Sequence, residues 1–118
     1  MNIGFFGLDG EERAVKYLKK QGYDIIARNF QSRFGEIDII AENKEYIVFA
    51  EVKARSEKSI AEPKEFVDLK KQRKIIKTAE IFLSENFTEK QPRFDVLEVK
   101  KEKGKYFINY IQNAFEVE

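Results

Sequence analysis

Apolar and polar residues alternate along this chain with two different periods. Ala14, Val15 and Leu18 recur at helical spacing and predict a first helix from Leu8 or Asp9 to Lys20, with Asp9 as its N-cap and Gly22 as its stop. A strand follows from Tyr23 to Asn29, then a second from Glu36 to Ile40. Glu42-Asn43-Lys44-Glu45 is short and polar enough to turn the chain back into a third strand, YIVFAEVKA, as a hairpin. Beyond a charged loop, Ser56 to Pro63, a long helix should begin near Lys64, where Pro63 suits an N-terminal position, and reach about Asn86. Its apolar stripe is Leu69, Ile75, Ile76, Ala79, Phe82 and Leu83. Two strands close the chain, Arg93 to Lys100 and Lys105 to Ile111, joined across Lys103-Gly104. The order α-β-β-β-α-β-β predicts an α/β fold with a central mixed sheet flanked by helices.

Charged residues interrupt this pattern where strands should be apolar. Residues two apart on a strand share a face, so Glu51 and Lys53 project together beside Ile47 and Phe49. The opposite face, Val48, Ala50, Val52 and Ala54, is wholly apolar, and a strand apolar on both faces reads as central and buried. Burying a charge without a partner is costly. In either register of the hairpin, Asp38 lies opposite Glu51 or diagonal to it. Two carboxylates resist joint ionisation unless a cation sits between them, and hard oxygen ligands suit Mg2+ or Mn2+. The competing reading is an edge hairpin with a solvated polar face. A third acid comes from the first helix, where Glu11 stands three, four and seven residues before Ala14, Val15 and Leu18 and so points toward the core. Its bland role would be a first-turn carboxylate favoured by the helix dipole.

Composition narrows the chemistry. With 118 residues, 42% hydrophobic content, 11 Phe and 5 Tyr, the chain has enough apolar material for one domain spanning residues 1–118. It contains no His and no Cys, which excludes the usual zinc sites, a Cys nucleophile and a Ser-His-Asp triad. No disulfide framework, signal-peptide pattern or membrane-length apolar run is present, so a cytoplasmic location and no membrane partner are expected.

Gly7-Leu8-Asp9-Gly10-Glu11 before Ala14 and Leu18, then Gly22-Tyr23, Arg28-Asn29, Gly35-Glu36-Ile37-Asp38, Phe49-Ala50-Glu51-Val52-Lys53-Ala54-Arg55 and Arg93-Phe94-Asp95-Val96 together resemble the YraN family of small bacterial proteins. The resemblance covers nearly the whole chain. It implies a restriction-endonuclease-like fold related to Holliday-junction resolvases and a site of the PD-(D/E)xK type. Asp38, Glu51 and Lys53 match the D, E and K, and Glu11 matches the first-helix glutamate of the resolvases. Two positions depart from the pattern: Ala61 stands where the family usually has Gly, and Ile37 stands where the motif's proline would be. A Mg2+- or Mn2+-dependent endonuclease is the implied activity, with DNA ahead of RNA as substrate and a two-fold homodimer by analogy with the resolvases. Asp38, Glu51 and a backbone carbonyl near Val52 would hold the metal, with Glu11 completing the site.

A net charge of +1 does not mark the whole molecule as a nucleic-acid binder, but its distribution says more. Lys70, Arg73, Lys74 and Lys77 fall on one arc of the long helix, opposite its apolar stripe, while Lys53, Arg55 and Lys58 precede it. Such an arc can contact several phosphates, although a basic helix face is more often simply solvated. Lys53 and Arg55 are the better candidates because they adjoin the acids. Asp95 reads as structural, and Arg93 can reach a phosphate or an acid. Two other classes stay open: a non-catalytic nucleic-acid-binding module, and a protein-interaction domain using the aromatic last strands, although Tyr106, Phe107, Tyr110 and Phe115 read more readily as core residues.

Overall fold

The computed structural model describes residues 3–55 and 67–117. Its elements are α1 (Ile3–Lys20), β1 (Asp24–Ser32), β2 (Gly35–Glu42), β3 (Tyr46–Arg55), α2 (Leu69–Glu85), β4 (Gln91–Glu102) and β5 (Lys105–Phe115). The five strands form one sheet in the order β1-β2-β3-β4-β5. All neighbours are antiparallel except β3 and β4. A parallel pair needs a long crossover, and the segment containing α2 supplies it. This is the mixed α/β order read from the sequence, and it is compatible with a restriction-endonuclease-like arrangement.

β3 is central, and its alternation sends side chains into two separate cores. Val48 and Ala50 pack with Ala14, Val15 and Leu18 of α1, while Ile47 and Phe49 pack with Ile75, Ala79 and Phe82 of α2. One helix therefore covers each face of the sheet. Each fully buried Leu, Ile or Phe in these layers contributes about 1.5–3 kcal/mol of transfer free energy. Thr78 is the buried polar residue of α2; its hydroxyl lies 2.8 Å from that of Ser32 and donates to the Lys74 carbonyl, tying the helix to the β1–β2 turn.

The ends of the elements differ from the sequence reading in instructive ways. α1 starts earlier than expected, so Asp9 lies inside the helix instead of capping it, and its carboxylate pairs with Arg13 one turn on. The expected stop holds: Gly22, at φ 94°, donates to the Lys19 carbonyl and Tyr23 donates to that of Leu18, the pair of hydrogen bonds that closes a helix on a left-handed glycine. α2 begins at Leu69, not near Lys64. Asp68 is extended, and its side chain accepts the Lys71 N–H at 2.8 Å, which defines it as the N-cap. The Ser56–Pro63 loop, Lys58, Ala61 and the role given to Pro63 lie outside the described residues. Leu69, assigned to the apolar stripe, is 48% exposed because it occupies the first helical position, ahead of the turns that meet the sheet. The last strands run longer than expected. Phe107 is exposed on β5, whereas Tyr106 and Tyr110 pack on the α1 side and Phe115 is buried against Phe94.

Candidate active site

The site lies where the β2–β3 ladder ends. Its last pair is Ile39 with Ala50, so Asp38 and Glu51 are the residues that follow at its open end. The Val52 N–H there donates to the Asp38 carboxylate at 2.8 Å. A side chain thus takes a main-chain hydrogen bond at the mouth of the hairpin, which fixes the carboxylate in place.

Asp38 is mostly buried, and burial raises its pKa from 3.8 to about 7, with the Glu51 carboxylate adding to the rise. The Val52 N–H opposes that shift, and Glu11 and Glu36 reinforce it. Four acids from α1, β2 and β3 therefore share one field. Such mutual repulsion is what a cation would relieve.

Glu11 reaches this field from α1. Gly10, next to it, allows the helix to come close: a Cβ at that position would stand 3.2 Å from the Ala54 Cβ of β3. Glu11 Oε1 is buried and among the described residues has no hydrogen-bond partner, with Arg28 Nη2 of β1 3.7 Å away. Arg28 gives its short contact, 2.7 Å, to the more exposed Glu12. A buried carboxylate oxygen without a donor is expensive and is a place where a ligand would be welcome.

On the other side of the fork, Glu51 is buried and carries two lysines. Lys71 Nζ stands 2.9 Å from Glu51 Oε1 and Lys53 Nζ stands 3.8 Å from the same oxygen. Burial lowers the Lys53 pKa, and the neighbouring Lys71 ammonium lowers it further. Burial also works against the charged Lys71, but the carboxylate of Glu51 outweighs it and raises the Lys71 pKa. Among the described residues no three acidic side chains are grouped tightly enough to hold a metal ion as they stand. The acids share a field rather than a coordination sphere. In chemistry the set still fits a hard divalent cation: oxygen donors only, one of them buried without a partner, and mutual repulsion that a cation would relieve.

Of the basic residues singled out in the sequence, Lys53 lies 3.8 Å from the site acid Glu51. Arg55 ends β3, and its side chain lies outside the described residues. Lys70, Arg73, Lys74 and Lys77 are exposed on α2, with the Lys77 ammonium 5.0 Å from the Phe34 ring centroid. Lys71 was missed among these neighbours. The signal was available, since Lys71 stands four residues before Ile75 and seven before Thr78, both buried, and so turns toward the sheet.

Arg93 and Asp95 form a second charged cluster, on β4. Arg93 Nε donates to both oxygens of Asp95 at 3.0 and 3.2 Å, and Nη2 adds a bond of 2.9 Å. Asp95 is fully buried and also accepts from the Tyr110 hydroxyl and the Asn113 N–H. Burial raises the Tyr110 pKa, with the bond to Asp95 adding to it. Every oxygen of Asp95 is used within the protein, which gives the pair a role in joining β4 to β5.

No helix among the described residues is long and apolar enough to cross a membrane. The family model described as "Uncharacterised protein family UPF0102" matches residues 10–99. A UPF0102 protein of Caldanaerobacter subterraneus subsp. tengcongensis is 46% identical over 113 residues, 92% of this chain and 93% of the relative. One from Persephonella marina is 45% identical, covering 95% and 94% of the two chains. Another, from Carboxydothermus hydrogenoformans, is 40% identical and covers 98% and 99%.

Proposed function

The chain belongs to the uncharacterised protein family UPF0102, the YraN family of its sequence motifs, and from that premise we propose that it is a divalent-metal-dependent endonuclease. The observation that carries this reading is the convergence of Glu11, Asp38 and Glu51 on one field beside Lys53. Asp38 and Glu51 would hold Mg2+ or Mn2+, with Glu11 as a further oxygen ligand. When bound, such a cation supplies Lewis acidity toward a phosphoryl oxygen and lowers the pKa of its water. The protein's own groups do the rest. Burial lowers the Lys53 pKa, so Lys53 gives up its proton more readily than a free lysine, and its place beside Glu51 suits it to orient the attacking water or to meet charge growing on the phosphate. Asp38 is kept in place by the Val52 N–H, so its carboxylate is aimed before substrate arrives. Lys70, Arg73, Lys74 and Lys77 lie on the same helix as Lys71, and a strand of nucleic acid tracking that face would leave its phosphate next to the acids. DNA is the favoured substrate, and a two-fold dimer would present two sites to paired strands.

The Glu51–Lys71 ion pair favours a second reading, in which the acids are neutralised internally and the domain binds nucleic acid without cutting it. Labelled duplex, junction, flap and single-stranded substrates, each with Mg2+ and with Mn2+, separate the two. Cleavage by the wild type, lost in Asp38→Asn and Glu51→Gln while binding is kept or tightened, is the expected outcome, because each substitution removes negative charge beside the scissile phosphate. Binding without cleavage in the wild type on every substrate would leave only the binding module.

A further inference from the structure

Glu51 is claimed more closely by a lysine outside the sequence motif than by the lysine within it. Lys71 Nζ is 2.9 Å from Glu51 Oε1, against 3.8 Å for Lys53. We infer that Lys71 is a resident counter-cation which a divalent ion displaces from Glu51, and that the released ammonium then serves as a contact for the substrate phosphate. The inference rests on the reading of Asp38 and Glu51 as metal-holding residues.

Three features carry it. The first is desolvation: the Glu51 side chain is only 8% exposed, so without Lys71 its charge would be poorly compensated. The second is the way Lys71 is mounted. Its backbone is pinned, because its N–H donates to the Asp68 cap at 2.8 Å, whereas 41% of its side chain is open to solvent. A fixed root with an accessible head can release one anion and take another without moving the helix. The third is its surroundings. Lys70 and Lys74 flank it on the exposed side of α2, so an ammonium leaving Glu51 enters a surface of like charge that an approaching phosphate would neutralise. A divalent ion brings two charges to Glu51 where Lys71 brings one: the Lys71–Glu51 ion pair breaks, the carboxylate replaces a water on the ion, and no covalent bond of the protein changes.

The exchange is measured with Mn2+ alone, by calorimetry, on wild type, Lys71→Met and Lys71→Arg. Removing the competing charge should tighten Mn2+ binding by about tenfold, while the arginine variant should stay within about threefold of wild type because it keeps the charge. Equal or weaker Mn2+ binding by a folded Lys71→Met overturns the inference and leaves the metal site standing. A wild type that takes up no Mn2+ overturns both. Should Lys71→Met not fold, the 13Cε resonance of Lys71 in labelled wild type decides the matter during a Mg2+ titration. A saturable shift that follows the metal occupancy is expected, and an unmoved resonance overturns the displacement.

Discussion

Asp38 is held by the fold in a state that opposes its ionisation, and this has a measurable sign. Its folded-state pKa, raised to about 7 by burial and then by Glu51, exceeds the unfolded value near 3.8. The folded protein therefore binds the proton more tightly. The stability from this group is fully present below about pH 4 and is lost as pH rises through 7. Denaturant unfolding of wild type between pH 5 and 8 should show that decline, on the order of a few kcal/mol, and Asp38→Asn should flatten it. A wild-type curve parallel to that of Asp38→Asn would mean that Asp38 is not perturbed. Arg93 and Asp95 present the opposite case, a buried pair whose charges meet internal partners. Truncating Arg93 to Ala should cost about 3–5 kcal/mol in the same assay, because it strands the Asp95 carboxylate in the core. A loss below about 1 kcal/mol would place that pair in the class of exposed ion pairs.

At the scale of elements, strand alternation and helix spacing made most of the site readable. Glu51 and Lys53 follow from the period of two along β3, and the inward aim of Glu11 follows from its distance to Ala14, Val15 and Leu18. What escaped was the far helix. Lys71 lies within a dense run of lysines, and its turn toward the sheet shows only when it is measured against Ile75 and Thr78 one residue at a time. The start of α2 escaped because a proline at a helix entrance and an aspartate cap are both good signals, and the choice between Lys64 and Leu69 depends on tertiary context. Of the four aromatic residues of the last strand that read as either a partner surface or core, Phe107 is exposed, because β5 is an edge strand and its register with β4 sets Phe107 against Lys100. The cap also bears on the site, since it fixes the turn that carries Lys71. Asp68→Ala should lower stability by about 1 kcal/mol through the lost N-cap bond, read as a shift in denaturation midpoint at constant slope. An unchanged midpoint would show that the Asp68–Lys71 bond contributes nothing to holding α2.

For the whole molecule, the topology explains why groups so far apart in sequence meet. β3 lies at the centre of the sheet, with antiparallel β2 on one side and parallel β4 on the other, and the helices before and after the hairpin cover opposite faces. Acids from α1, β2 and β3 and a lysine from α2 therefore come together where the β2–β3 ladder ends. Anomalous diffraction from Mn2+-soaked crystals tests the metal reading most directly. A single Mn2+ peak within bonding distance of the Asp38 and Glu51 carboxylates, on the side from which Glu11 approaches, is the predicted result. No peak there at full soak, with Lys71 still paired to Glu51, would contradict it.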